Sequence, residues 1–174
     1  YVTNPSAVNP DLRSIVFSLT AFQGGRATYD TMWELEKRAI LQEEKNRLQG
    51  ALSSFPDPEL LLETLERSLS DEIRTQDTIR IVMVAASAHG GRDLTWQFVK
   101  DNWPEFDRRY GEGGFALMRL VSITSGYASE SKHEEVERFF TDHPAPAAER
   151  TIRQSLEKIR LNSAWLQRNR EGLG

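Results

Sequence analysis

Apolar residues in this chain recur at spacings of three and four almost from end to end, a period that belongs to helices rather than strands. Leu12, Ile15, Val16, Leu19 and Phe22 share one helical face, with Asp11 after Pro10 as a natural N-cap and Gly24-Gly25 as the stop. Thr28 is placed to cap a second helix carrying Met32, Trp33, Leu35 and Ile40, and residues 43–52 read as a third with acids in its first turn. The clearest start is Asp57 followed by Pro58, a cap and a first-position proline, with Leu60, Leu61, Leu62, Leu65 and Leu69 forming the stripe behind it.

The stretch 76–88 is rich in β-branched residues, yet thirteen residues without a turn signal favour a helix over a strand. Gly90-Gly91 breaks it. Asp93 and Pro104 open the next two helices, and Phe115 to Ser125 forms a short apolar one closed by Gly126. Ser131 with Glu134 has the spacing of a capping box, for a helix ending near Phe140. The His143-Pro144-Ala145-Pro146 segment has to be extended, and a long last helix runs from about Ala147 to Arg168. The expected fold is all-α: about ten helices joined by short connections, packed as antiparallel pairs near 57–89, 93–125 and 131–168. Each pair takes about 35–40 residues, close to the period of two-helix solenoid repeats, but the pairs share a pattern and no letters, so an irregular helical bundle stays open. The 174 residues suit one such domain, 1–174.

Composition closes off many chemistries. There is no cysteine, hence no thiol nucleophile, thiolate metal site or disulfide framework, and a reducing compartment such as the cytoplasm is expected. A net charge of −4 argues against nucleic acid as a partner. The longest strongly apolar run, Ile81 to Ala86, falls far short of the roughly 20 residues of a membrane span, so no membrane is expected. His89, His133 and His143 are scattered, and His133-Glu134-Glu135 lacks a second histidine, because position 137 is Glu. Gly111-Glu112-Gly113-Gly114 follows no strand and reads as a linker rather than a phosphate cradle, and no Gly-x-Ser-x-Gly elbow is present. No catalytic residue and no metal ligand is therefore assigned. Trp33, Trp96, Trp103 and Trp165 read as core aromatics. The acidic stretches Asp71-Glu72 and 134–137 read as solvated helix faces.

Charge along the chain is uneven. From Ala147 onward stand six basic residues (Arg150, Arg153, Lys158, Arg160, Arg168 and Arg170) against three acids (Glu149, Glu157 and Glu171). That is +3 on the last helix, which leaves −7 on the rest. Glu149–Arg153 and Glu157–Arg160 have the spacing of surface ion pairs, the plain expectation. The alternative is an electropositive surface facing an anionic group or an acidic neighbouring domain.

The tail, His143-Pro144-Ala145-Pro146-Ala147-Ala148-Glu149-Arg150-Thr151-Ile152 followed by Asn162-Ser163-Ala164-Trp165-Leu166, resembles the C-terminal end of the puromycin-sensitive branch of zinc aminopeptidases. That branch includes the tricorn-interacting aminopeptidases of archaea. Further similar blocks run in the same order: Asp11-Leu12-Arg13-Ser14, Gln42-Glu43-Glu44-Lys45-Asn46-Arg47, Thr75-Gln76-Asp77-Thr78, Trp96 to Trp103, and Arg109-Tyr110. The resemblance covers about residues 8–170. It implies an irregular HEAT-like array, the distal part of a C-terminal helical domain that arches over a thermolysin-like catalytic domain and limits access to an enclosed chamber. It also implies a zinc cofactor in that other domain, held by H-E-x-x-H and a downstream Glu. Neither these nor the G-x-M-E-N motif has a counterpart here.

The leading expectation is thus a non-catalytic domain of a zinc metallo-aminopeptidase that releases N-terminal residues from peptides. Its partners would be the catalytic domain of the same polypeptide and the peptide substrates. A start at Tyr1 rather than Met fits a piece of something longer. The alternative is a free-standing helical-repeat scaffold for protein interaction. For substrate binding, Arg150 and Arg153 are the candidates, since a guanidinium fork fits a peptide's free carboxylate.

Overall fold

Asp57 and Pro58 act as their positions predict: the Asp57 carboxylate accepts from the Glu59 amide at 2.9 Å, and Pro58 takes the first helical turn. In the computed structural model, which describes residues 8–169, the elements are α1 (Arg13–Gln23), α2 (Arg26–Arg38), α3 (Gln42–Leu52), α4 (Pro58–Ser68), α5 (Thr75–Ser87), α6 (Gly91–Asp101), α7 (Trp103–Tyr110), α8 (Phe115–Ser122), α9 (Glu130–Asp142) and α10 (Glu149–Asn169). Short 3-10 turns precede α1 and α10 and follow α8. The fold is all-α, and no strand occurs among the described residues. The β-branched 75–87 stretch is helical because its apolar residues, Ile79, Ile81, Val82 and Ala85 among them, are buried at helical spacing.

The chain divides into two compact units, one ending at Phe98 and the other beginning at Val99. In the first, Tyr29 meets Phe55 edge-on at 5.3 Å while Glu36 meets Gln49, so α2 and α3 run antiparallel. The α4–α5 pair is antiparallel as well. The Thr78 hydroxyl at the start of α5 donates to the Ser68 carbonyl at the end of α4, and Gly91 just past α5 lies against Leu61 at the start of α4. Tyr29, Trp33, Leu48, Leu52, Phe55 and Ile81 are among the large residues of its core. In the second unit, Trp103 stands edge-on to both Phe139 and Phe140 at 5.4 and 5.5 Å, which fixes α7 against α9.

Several sequence expectations shift. Asn9, not Asp11, caps the first turn by accepting from the Asp11 amide at 3.0 Å. Gly25 rather than Thr28 is the N-cap of α2, and Ser129 rather than Ser131 caps α9 by accepting from the Lys132 amide at 3.3 Å. No capping box forms there, since the third helical residue is Lys132, which has no acceptor to return the bond. Three tryptophans are buried, but Trp165 is half exposed beside Leu161 and Leu166. The largest departure is α1. It buries Phe17 and Ala21, while Leu12, Ile15, Leu19 and Phe22 are each more than half exposed.

Candidate functional site

Two prolines shape the turn between α9 and α10. Each restricts the residue before it, and His143 and Ala145 are held out of the helical region with ψ near 75° and 77°, short of fully extended backbone. The His143 ring stacks on Phe139 at 4.5 Å, with Nδ1 3.0 Å from the Phe139 carbonyl oxygen, while Ala145 and Ala148 are buried beneath. This segment holds the end of α9 away from the start of α10 and leaves a cleft of about 360 Å³. Phe140, Ile152 and Leu156 give it an apolar floor, Pro144 and Pro146 a wall, and Glu137, Glu149 and Arg153 a charged rim.

Arg153 therefore stands at the mouth of a cleft, and Arg150 is exposed on the same helix outside the lining. Both lie on the side of α10 away from its buried stripe of Ser155, Ile159 and Ser163. The expected surface pairs do not form. Neither Glu149–Arg153 nor Glu157–Arg160 comes within ion-pairing distance, and none of the charged side chains of α10 has an ion-pair partner among the described residues. The side chains point outward into water, where a pair at this spacing contributes little against the entropy of holding it. Arg170 lies outside the described residues.

Elsewhere, arginines are engaged. Glu105 accepts from Arg108 at 2.6 and 2.8 Å and from Arg109 at 2.5 Å, and these hydrogen bonds hold its carboxyl down at about 2. Burial would raise the pKa of Glu63, but hydrogen bonds from Arg26 and Arg67 at 2.6 and 2.9 Å outweigh it, and the carboxyl stays below its ordinary range. Against these, the charged side chains of α10, five basic and two acidic among the described residues, form no ion pair.

The histidines do other work. His133 is buried, its Nδ1 3.9 Å from a Glu137 carboxylate oxygen, and His143 belongs to the proline turn. Among the described residues, no cluster of three His, Asp or Glu side chains is arranged to hold a metal ion. No helix among them is long and apolar enough to cross a membrane.

A polar network in the first unit has no counterpart in the sequence expectations. Gln49 is buried between two charges: its amide nitrogen donates to the buried Glu36 carboxylate at 2.8 Å, and its amide oxygen accepts from Arg80 at 2.5 Å. Arg80 also donates to the Asn46 carbonyl and side-chain oxygen at 3.0 and 3.1 Å. All three acceptors are neutral, and burial lowers the Arg80 pKa. Its guanidinium reaches a cleft of about 530 Å³ bounded by Ser14 and Ser18 of α1, Glu43, Asn46, Arg47 and Gly50 of α3, and Val84. The signal was available for Glu36, which continues the buried Tyr29, Met32, Trp33 series at helical spacing.

Comparison with known proteins places this architecture. A family model described as the ERAP1-like C-terminal domain matches residues 1–161. Aminopeptidase N of Mus musculus is 32% identical over 98% of this chain, and the chain covers 18% of that protein. Aminopeptidase M1 of Arabidopsis thaliana is 30% identical over 94% of the chain, which covers 19% of it. Aminopeptidase N of Homo sapiens is 30% identical over 97%, again with 18% of that protein covered. The chain thus spans about a fifth of the length of these curated relatives. A helical array matched over nearly its whole length leaves one assignment: this chain belongs to the ERAP1-like C-terminal domain family of the aminopeptidases.

Proposed function

We propose that this chain is the distal, non-catalytic part of the C-terminal helical domain of a zinc-dependent aminopeptidase. It encloses the substrate chamber, and the outer face of α10 holds the carboxylate end of peptides whose amino end reaches the catalytic site. The collinear blocks favour the puromycin-sensitive branch, and the absence of cysteine favours the cytoplasm. One observation carries the substrate role: Arg150 and Arg153, three residues apart on one helix face, are exposed and form no ion pair among the described residues. A planar guanidinium binds both oxygens of a carboxylate at once, and two of them would orient a peptide by its far end. The contact would persist from ground state to transition state, so its loss raises KM more than it lowers kcat. An exposed contact contributes under about 1 kcal/mol, a desolvated one about 2 kcal/mol.

The parent reading frame supplies the first test: it is expected to carry H-E-x-x-H upstream, and a frame without a catalytic domain favours the free-standing scaffold instead. The second uses the full-length enzyme. Arg150→Ala and Arg153→Ala are compared on short peptides with free and amidated C-termini. The variants are expected to narrow the difference in KM between the two peptide forms. If that difference is untouched, the arginines do not bind substrate.

A further inference from the structure

We propose that the cleft between α9 and α10 binds a free α-amino acid with a large apolar side chain, held as a zwitterion between Glu149 and Arg153. The binding rests on the cleft alone. The part this amino acid plays as a released product rests on the reading of the parent as an aminopeptidase.

The charges of the rim carry the argument. Glu149 and Arg153 have the i,i+4 spacing and the acid-to-base order that favour an ion pair, yet they do not come within ion-pairing distance. Both line the cleft, and Glu137 adds a second carboxylate from α9. The neighbours of Glu137 are His133, whose Nδ1 is 3.9 Å from its carboxylate, and Thr141, whose hydroxyl donates to the Glu137 carbonyl at 2.8 Å. Two carboxylates and one guanidinium around an apolar floor suit a ligand that carries both signs. One helical turn sets the Cβ atoms of Glu149 and Arg153 about 5–6 Å apart. In a free amino acid the ammonium and the carboxylate share one carbon, so both reach their partners across this gap. Each added residue moves the two ends about 3.5 Å further apart, so a longer peptide engages one partner only.

The floor selects the side chain. Ile152 and Leu156 are half-buried, one turn apart on the face that carries Glu149 and Arg153, and Phe140 joins them from α9. The cleft volume of about 360 Å³ equals the liquid volume of about a dozen waters, room for a leucine or a phenylalanine. Covering the floor supplies most of the affinity, and the charge contacts supply the orientation. In the parent, an apolar amino acid cut from one peptide would then occupy Arg153 and loosen its hold on the carboxylate of the next.

Amide NMR of the 174-residue chain, titrated with leucine, reads the binding directly. Shifts are expected at positions 137, 140, 149, 152, 153 and 156, saturating with a Kd on the order of 1–10 mM. Leucinamide lacks the carboxylate, acetyl-leucine the ammonium and glycine the side chain. Each is expected to bind about threefold or more weakly than leucine. Arg153→Met is expected to weaken leucine by the same factor and to spare leucinamide. Glu149→Gln is expected to weaken leucine and to spare acetyl-leucine. Both residues are exposed, so neither substitution touches the core. Shifts that are absent from the cleft, or that scatter over the surface without saturating, overturn the site. Leucinamide that binds as tightly as leucine overturns the zwitterion, and glycine that does so overturns the role of the floor. In the full-length parent, added leucine is expected to raise KM for a peptide with a free carboxylate more than for its amidated form. Competition at the catalytic site raises both alike, and that result overturns the product role alone. A parent without a catalytic domain overturns the proposed function and leaves the site standing.

Discussion

Replacing Gln49 with methionine isolates the buried network in the first unit. The substitution keeps the length and most of the volume of the side chain but removes the amide that bridges Glu36 and Arg80 at 2.8 and 2.5 Å. Glu36 loses the hydrogen bond that reaches it from α3 and is left as a buried carboxylate, whereas Arg80 keeps both bonds to Asn46. Hydrogen bonds to charged groups contribute about 1.5–3 kcal/mol each, and an uncompensated buried charge costs about 3–5 kcal/mol. The Glu36 side dominates because Arg80 is only half-buried. Gln49→Met is therefore expected to lower stability by at least about 3 kcal/mol, a fall of roughly 6–12 °C in Tm for a domain of this size. Urea unfolding followed by tryptophan fluorescence measures it, with Trp33 as the probe within the same core. Glu36→Leu in the Gln49→Met background removes the stranded charge and is expected to recover part of the loss. A cost for Gln49→Met below 1 kcal/mol, or a double variant worse than the single, would refute the reasoning.

At the α5–α6 junction, a Cβ on Gly91 would meet the Ala85 carbonyl oxygen at 2.1 Å, whereas Gly90 has open space but φ of +70°. Gly91→Ala is expected to cost more than Gly90→Ala, whose strain is about 1–2 kcal/mol, and urea midpoints that reverse the order would count against the packing described. Asp57→Ala removes the cap of α4 and is expected to cost about 1 kcal/mol, checked by the same unfolding curves. Glu105 is expected to titrate near 2, observable as the side-chain carboxyl shift in NMR. Its folded pKa lies below the ordinary 4.5, so the stabilisation from Arg108 and Arg109 is complete above that range and lost as pH falls towards 2.

What the sequence made legible follows from what its letters encode locally. Asp57-Pro58 is a start signal that needs nothing beyond its own turn, and it holds. The caps Ser129 and Asn9 lie two residues from the expected ones because neighbouring side chains are equally good acceptors, whereas Gly25, the cap of α2, has no side chain to signal it. Periodicity identifies which residues share a face but not what covers that face, and the same kind of pattern has three different outcomes here. On α4, Leu60, Leu61 and Leu65 are buried against the unit's own helices. On α2 the stripe of Tyr29, Met32 and Trp33 continues into Glu36, a carboxylate whose burial is possible only because Gln49 reaches it from α3, a contact between helices that no single-helix pattern contains. On α1 the best-patterned stripe is the exposed one, and the helix instead buries Phe17 and Ala21. Charge behaves the same way: Glu149 and Arg153 have the spacing of a pair but remain apart, whereas Glu63 and Arg26, 37 residues apart, meet at 2.6 Å. Among the described residues, the apolar stripe of α1 stays exposed and the arginines of α10 form no ion pair, so local pattern alone does not decide what a face meets.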